Sequence, residues 1–202
     1  MARCEHRLGR TEEAHRDLAR LVRNYPTAPV VPEAQLLRAR LFALDGSWRD
    51  ARRTLRSLPL EFPTSDAALR APLEIAAYYR NLDDALGERE ALDRAERRYL
   101  EILERYPRGA HSYSTREKLV TVYDLQGRRG EALDALLAIC DDVALPSQRP
   151  ALLFEAARRA ETQLNERARA AEIYQRLADE FPDTRLGKSA LRELRRLLSA
   201  HE

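Results

Sequence analysis

Glycine is scarce in this chain: there are seven among 202 residues, with one methionine and one tryptophan. β-branched residues are sparse as well, while Ala, Leu, Arg and Glu, all good helix formers, dominate. This is the make-up of an all-helical soluble protein, and at 44% hydrophobic residues it is too apolar for a disordered one. Lysine is nearly absent, since all but two of the 35 basic residues are arginine. The formal charge is only +2, which gives no strong field for nucleic acid or a membrane surface. The two cysteines, Cys4 and Cys140, are far apart and fit no metal or redox spacing. No stretch approaches the ~20 consecutive apolar residues of a membrane span. The opening "MARCEHRLGR" has no apolar signal region, and Cys4 is not preceded by one.

Chemical motifs are missing too. The four histidines, His6, His15, His111 and His201, never fall at i, i+4, and none clusters with cysteine at metal-ligand spacing. There is no Gly-x-Ser-x-Gly elbow and no phosphate-cradling glycine loop. Asp83-Asp84 and Asp141-Asp142 are paired acids, but each sits at a helix end or turn, where solvated carboxylates are common. No catalytic residue, metal site or cofactor is therefore expected.

What the chain has in abundance is repetition. Tyr25-Pro26, Phe62-Pro63, Tyr106-Pro107 and Phe181-Pro182 each close a run rich in Ala, Leu and Arg. Ala14, Ala51, Ala95 and Ala170 each precede one of these prolines by twelve residues. A fifth unit, from Ala132 to Pro146, is two residues longer. Gly9, Gly46, Gly127 and Asn165 each stand five residues before one of the alanines. The prolines at 26, 63, 107, 146 and 182 are thus 37, 44, 39 and 36 residues apart. A period in the mid-thirties, split by a glycine turn and closed by proline, means stacked helix pairs. Glycine accepts the left-handed conformation that ends a helix cheaply, and the small alanine lets two backbones approach. Proline ends the second helix because it lacks an N–H and clashes with the preceding turn. Apolar residues four and seven after each alanine, such as Leu55 and Leu58 or Tyr174 and Leu177, share one helix face.

Helices are expected near 11–24, 32–45, 48–61, 67–81, 86–105, 115–126, 129–143, 150–164, 166–180 and 184–200. Ser114 with Glu117 forms a capping-box pattern. Pro72 implies a late start or a kink in its helix. The 44-residue spacing carries seven extra residues around "DDALGER". Seven residues return an ideal helix to within about 20° of whole turns, so they can lengthen a helix without rotating its buried face.

The pattern resembles the tetratricopeptide repeat over nearly the whole chain. Its small first-helix residue appears as Ala39 and Ala76, the aromatic after it as Phe42, Tyr79 and Tyr123, and its turn glycine as Gly9, Gly46 and Gly127. Trp48, just before an alanine, reads as packing. In the fifth unit Arg158 and Glu161 fall where small and aromatic residues belong, so its first helix is expected to shift by about one residue. The endings "EFPDTRLGKSALREL" and "ERYPRGAHSYSTREKLV" look like those of a subclass in bacterial envelope proteins. That subclass includes the lipoprotein of outer-membrane barrel assembly and the Tol–Pal coordinator protein. The resemblance implies a right-handed superhelical solenoid of antiparallel helix pairs, about four and a half repeats plus a C-terminal capping helix, in one domain over 1–202.

The resemblance further implies a non-catalytic scaffold that holds a protein partner, as a peptide or helix, in a concave groove lined by first helices. Such a scaffold can belong to a larger multi-subunit assembly. The groove positions are then Glu33, Leu36, Arg40 and Ala43, then Arg70, Leu73, Ala77 and Arg80, then Ser114, Glu117, Thr121 and Asp124. Arg40 and Arg80 are expected to face Glu117 and Asp124, a mixed surface unsuited to a nucleic-acid backbone. Arg185, Lys188, Arg192 and Arg195, with Arg196 adjacent, form a basic stripe on the last helix that offers a second contact. The setting is a bacterial envelope if a signal lies upstream of this chain, and otherwise the cytoplasm. The alternative is a substrate-recruiting or regulatory part of a larger cytoplasmic enzyme or signalling protein. Gly9 leaves only eight residues before it, too few for a first helix of about fourteen. The chain is therefore expected to open in mid-repeat, as a piece of a longer protein or with a partner covering residues 12–24. A native reading frame starting at Met1, with a monomer whose 12–24 face is bare to water, contradicts that expectation.

Overall fold

The structure, a computed structural model, describes residues 11–141 and 147–199. Among these residues there are ten helices and no strand: α1 (Thr11–Asn24), α2 (Val31–Leu44), α3 (Trp48–Glu61), α4 (Asp66–Asn81), α5 (Ala85–Arg105), α6 (Ala110–Leu125), α7 (Arg129–Cys140), α8 (Arg149–Thr162), α9 (Arg167–Glu180) and α10 (Arg185–Ser199). This is an all-α repeat fold. Gly9, Cys4, His6 and Pro146 lie outside the described residues. The chain divides into two compact units, residues 1–98 and 99–202, with the division inside α5. In the first unit α2 packs between α1 and α3, α4 packs on α3, and the two first helices α2 and α4 also touch. In the second, α6 to α10 pack each on the next, and α8 touches α10.

The alanines identified from spacing are enclosed by the fold. Ala14, Ala51, Ala95 and Ala170 have no exposed surface and Ala132 has 1%. One turn and two turns later lie the buried pairs Leu55 and Leu58, Tyr99 and Ile102, Leu136 and Ile139, and Tyr174 and Leu177. In α1, Leu18 is buried and Leu21 half-buried against Ala34 and Leu41. Ala39 and Ala76 of the first helices are fully enclosed.

The turns within the pairs share one hydrogen-bonding scheme. The Ser47 N–H donates to the Phe42 carbonyl at 2.8 Å and the Gly46 N–H to that of Ala43 at 3.2 Å. Asp84 and Asp83 repeat this with Tyr79 and Arg80, and Arg128 and Gly127 with Tyr123 and Asp124. This six-to-one plus five-to-two pattern is the Schellman motif, which needs a left-handed residue at its centre. Gly46 (φ +77°), Asp83 (φ +54°) and Gly127 (φ +72°) supply it. Asp83 was not legible as a turn residue, because the glycine near it, Gly87, lies inside α5. Counted from Asp83, α5 begins where its counterparts begin, then runs for 21 residues against 14 in α3 and α9. The seven-residue insertion has gone into helix length, two turns almost complete, and Ala95, Tyr99 and Ile102 keep their buried face.

The last turn is one residue wider. Asn165 takes the left-handed conformation (φ +58°), and the Glu166 N–H reaches back six residues to Ala160 rather than five. Ala157 and Ala160, both without exposed surface, therefore fill the places that a strict count assigns to Arg158 and Glu161. This is the expected one-residue shift.

Two expected helix starts, in different helices, are not met. α6 begins at Ala110, five residues earlier than 115, behind Gly109 at φ +93°. Ser114 and Glu117 therefore lie within the helix and do not cap it. The start is tied down instead by the Ser112 hydroxyl, which donates to the Pro107 carbonyl at 3.0 Å and has no exposed surface. Pro72 does not delay α4, which starts at Asp66 behind Ser65, whose hydroxyl accepts from the Ala68 N–H at 3.1 Å.

Two stability outcomes follow. Leu136, at 3% exposure, sits in a packed helix face, so Leu136→Ala lowers unfolding free energy by about 2–5 kcal/mol in urea titration. A loss under half a kilocalorie contradicts the packing. Asp83→Gly relieves a left-handed side chain and raises stability by a few tenths of a kcal/mol up to about 1, whereas Gly46→Asp lowers it. Equal melting temperatures for the two variants contradict the shared turn.

Candidate functional site

The first helices of the first unit carry the expected groove charges, and each has found a carboxylate or guanidinium close by. Arg70 of α4 binds Glu33 of α2 and, through Nε, Asp66 Oδ2 at 3.1 Å. Arg40 of α2 donates through Nε to Glu74 Oε1 of α4 at 3.0 Å, and that bond is the main cause holding its pKa above the usual arginine value. Arg80, at the end of α4, donates through Nε to Glu88 of α5 at 2.7 Å. Leu36, read as a groove position, is 1% exposed and belongs to the core with Leu55 and Leu58. Its leucine side chain turns into the space between α2, α3 and α4 because the apolar stripe of α2 is broader than a strict count allows.

Beside the Arg40–Glu74 pair lies a hollow of about 420 Å³ between the C-terminal halves of α2 and α4. Ala43, Leu44, Trp48, Ala77, Tyr78 and Leu82 are among its lining residues. Trp48 stacks flat on Tyr78, ring centres 3.4 Å apart and planes 6° apart, and meets the edge of Tyr79 at 6.0 Å. It packs against the core, as expected, and the same ring system walls the hollow. Leu44 and Leu82 stand at its rim, 69% and 58% exposed. None of Glu74, Glu88, Leu44, Tyr78 and Leu82 was singled out from sequence. The signal available for Leu44 and Leu82 was an apolar residue directly beside a turn.

In the second unit Asp124 accepts from Arg159 Nη1 at 3.0 and 2.9 Å, and Arg159 Nε also donates to Glu155 at 2.9 Å. The Tyr113 hydroxyl donates to Gln148 Oε1 at 2.9 Å, and burial, with the Glu117 carboxylate as a lesser cause, pushes the phenol up to about 12. The Thr121 hydroxyl donates back to the Glu117 carbonyl at 3.0 Å. Arg40, Arg80 and Asp124 thus take partners inside their own units: Glu74, Glu88 and Arg159. The pairs Asp124–Arg159, Asp134–Arg169, Asp141–Arg176 and Glu161–Arg196 all join residues 35 apart, the acid first. Each links one repeat to the next. This recurrence was present in the sequence and was missed. It also explains why Asp141, one of the paired acids, sits at a helix end: it holds an arginine of α9.

Among the described residues no three His, Cys, Asp or Glu side chains gather as metal ligands, and no helix is long and apolar enough to cross a membrane. Cys140 is buried, and burial pushes its thiol up to about 11.

The tetratricopeptide repeat model matches residues 1–28, 33–65 and 151–184, so those stretches are similar to tetratricopeptide repeats. A thermophilic TPR protein of Thermus thermophilus has a similar structure, with TM-score 0.53 and 18% identity, over 98% of this chain and 95% of that one. A Podosopora anserina protein with nearly identical TPR-like repeats is similar with TM-score 0.52 and 18% identity, over 87% of this chain and 89% of that one. At these identities the likeness shows the fold. No curated protein matches the chain at a significant level.

Because Asp124 and Arg159 are both partly exposed, their coupling is modest. A double-mutant cycle with Asp124→Asn and Arg159→Gln yields about 0.2–1 kcal/mol, falling with added salt. A coupling of zero removes this pair from the inter-repeat ladder. In a Cys4→Ser background, Cys140 stays unlabelled by a thiol reagent at pH 8 while folded and reacts in denaturant. Rapid labelling of the folded chain contradicts the buried thiol.

Proposed function

We propose that the protein is a non-catalytic scaffold whose first-helix face holds a partner protein. Tetratricopeptide repeats mediate protein–protein interaction in general, through the broad surfaces that stacked helix pairs create. The observation that carries the reading is the hollow of the first unit. Two exposed leucines at the rim of an aromatic-walled depression form a seat for an apolar side chain, since each contact there removes apolar area from water. Around this seat Glu33–Arg70 and Arg40–Glu74 present both signs of charge, with Arg80 beside them. The fitting ligand is an extended or helical segment with one apolar anchor and flanking charges of both signs. Its affinity falls modestly with salt, because the scaffold's charges are already internally compensated. In the second unit Glu117, Thr121 and Asp124 offer a polar surface of the same kind.

The setting we favour is a bacterial cell envelope, in a complex of several proteins. The four aromatic–proline endings support it.

A photo-cross-linking residue at position 44 or 82, introduced in the source cell, tests the site. The expected result is one discrete adduct shared by both positions and missing from Arg53, on the exposed side of α3. Equal labelling at all three positions overturns the proposed seat. Recovery of the adduct in a cytoplasmic fraction overturns the envelope setting alone.

A further inference from the structure

The last helix holds a second surface with a different chemistry. α10 carries five cations, Arg185, Lys188, Arg192, Arg195 and Arg196, and one acid, Glu193. Its own balance of +4 exceeds the +2 of the entire chain, so the rest of the protein is net negative. The spacings of three, four and three put the first four cations on one side of the helix, and all five are exposed. The opposite side, Gly187, Ala190, Leu194 and Leu197, is buried in the unit against α9 and α8. The basic face is therefore held outward by the fold.

Elsewhere in this unit several arginines are matched across helices. Arg149, Arg159, Arg169 and Arg176 each reach a carboxylate on another helix. On α10, among the described residues, only Arg196 does, binding Glu161, with Glu193 of its own helix beside it. Arg192 reaches the Ser189 hydroxyl, and none of Arg185, Lys188 and Arg195 forms an ion pair among the described residues. Nor do the first two cations serve the helix. Arg185 and Lys188 occupy its first turn, at the positive end of the helix dipole, and no acid in that turn offsets them. Asp183, two residues ahead of Arg185, is exposed to solvent. Local stability thus opposes Arg185 and Lys188 rather than producing them.

We propose that this face docks an acidic protein segment, a helix with carboxylates at three- and four-residue spacing. Charge complementarity selects its sign, and arginine favours carboxylate because its planar fork accepts both oxygens. Leu198, 59% exposed on the flank of the stripe, adds an apolar contact that a protein side chain satisfies. The apolar side of α10 is committed to the core and has nothing left to insert into a bilayer.

The test uses the full chain and a 15-residue helical peptide bearing glutamates at i, i+3, i+7 and i+10 and one leucine, with binding followed by fluorescence anisotropy. The quadruple variant R185E/K188E/R192E/R195E is compared with R23E/R89E/R97E/R108E, which changes the net charge equally at exposed residues elsewhere. Circular dichroism confirms that both fold. The expected result is at least a tenfold loss of peptide affinity in the first variant, less than a threefold change in the second, and a steep decline with salt in the native chain. Absence of peptide binding, or equal loss in both variants, overturns the proposal. Retention on phosphatidylglycerol vesicles without peptide binding overturns it in favour of a lipid surface.

Discussion

Everything in this architecture depends on how closely two helices of a pair can approach. Ala51, Ala132 and Ala170 stand on second helices that pack against first helices α2, α6 and α8, with at most 1% exposure, and Ala14 and Ala95 are as fully enclosed. The close approach puts the neighbouring leucines, isoleucines and tyrosines in register, and with them the faces left over for solvent and partners. A larger side chain at the crossing forces off-rotamer packing or backbone movement. The left-handed residue five positions earlier aims the second helix at this crossing, whether it is Gly46, Gly127, Asn165 or, with a seven-residue extension after it, Asp83.

That dependence explains what could be read in advance. Small residues, turn glycines and prolines act locally, through sterics that a linear pattern records. Helix order, most helix ends and the buried face of each second helix were accordingly legible, down to the shift that brings Ala157 and Ala160 into the core. α6 was misjudged because Ser114 and Glu117 satisfy a local capping rule while Gly109 and Ser112, earlier in the chain, have a stronger claim through the Pro107 carbonyl.

The sites were harder to read. A face can be assigned by counting, and Arg40, Arg70 and Arg80 do lie on first helices. Their electrostatic partners sit about a repeat away or across a turn, and depend on side-chain reach: Glu74, Glu33 and Glu88. Such pairing neutralises much of the surface that the arginine count implies. What pairing does not consume includes the leucine-rimmed hollow of the first unit and the unmatched cations of α10, the two surfaces proposed above for partners.

The inter-repeat ladder and the alanine crossings work on different scales. Exposed ion pairs each contribute modestly and are screened by salt, while an overfilled crossing disturbs a whole helix pair. The most direct measurement is therefore urea unfolding of Ala132→Leu and Ala170→Leu beside Ala138→Leu, whose alanine lies on α7 outside the enclosed crossings. The two crossing variants are expected to lose about 1–3 kcal/mol each, with the third nearly unchanged. Leucine accommodated at Ala132 and Ala170 without loss would contradict close helix approach as the constraint on which the repeat is built.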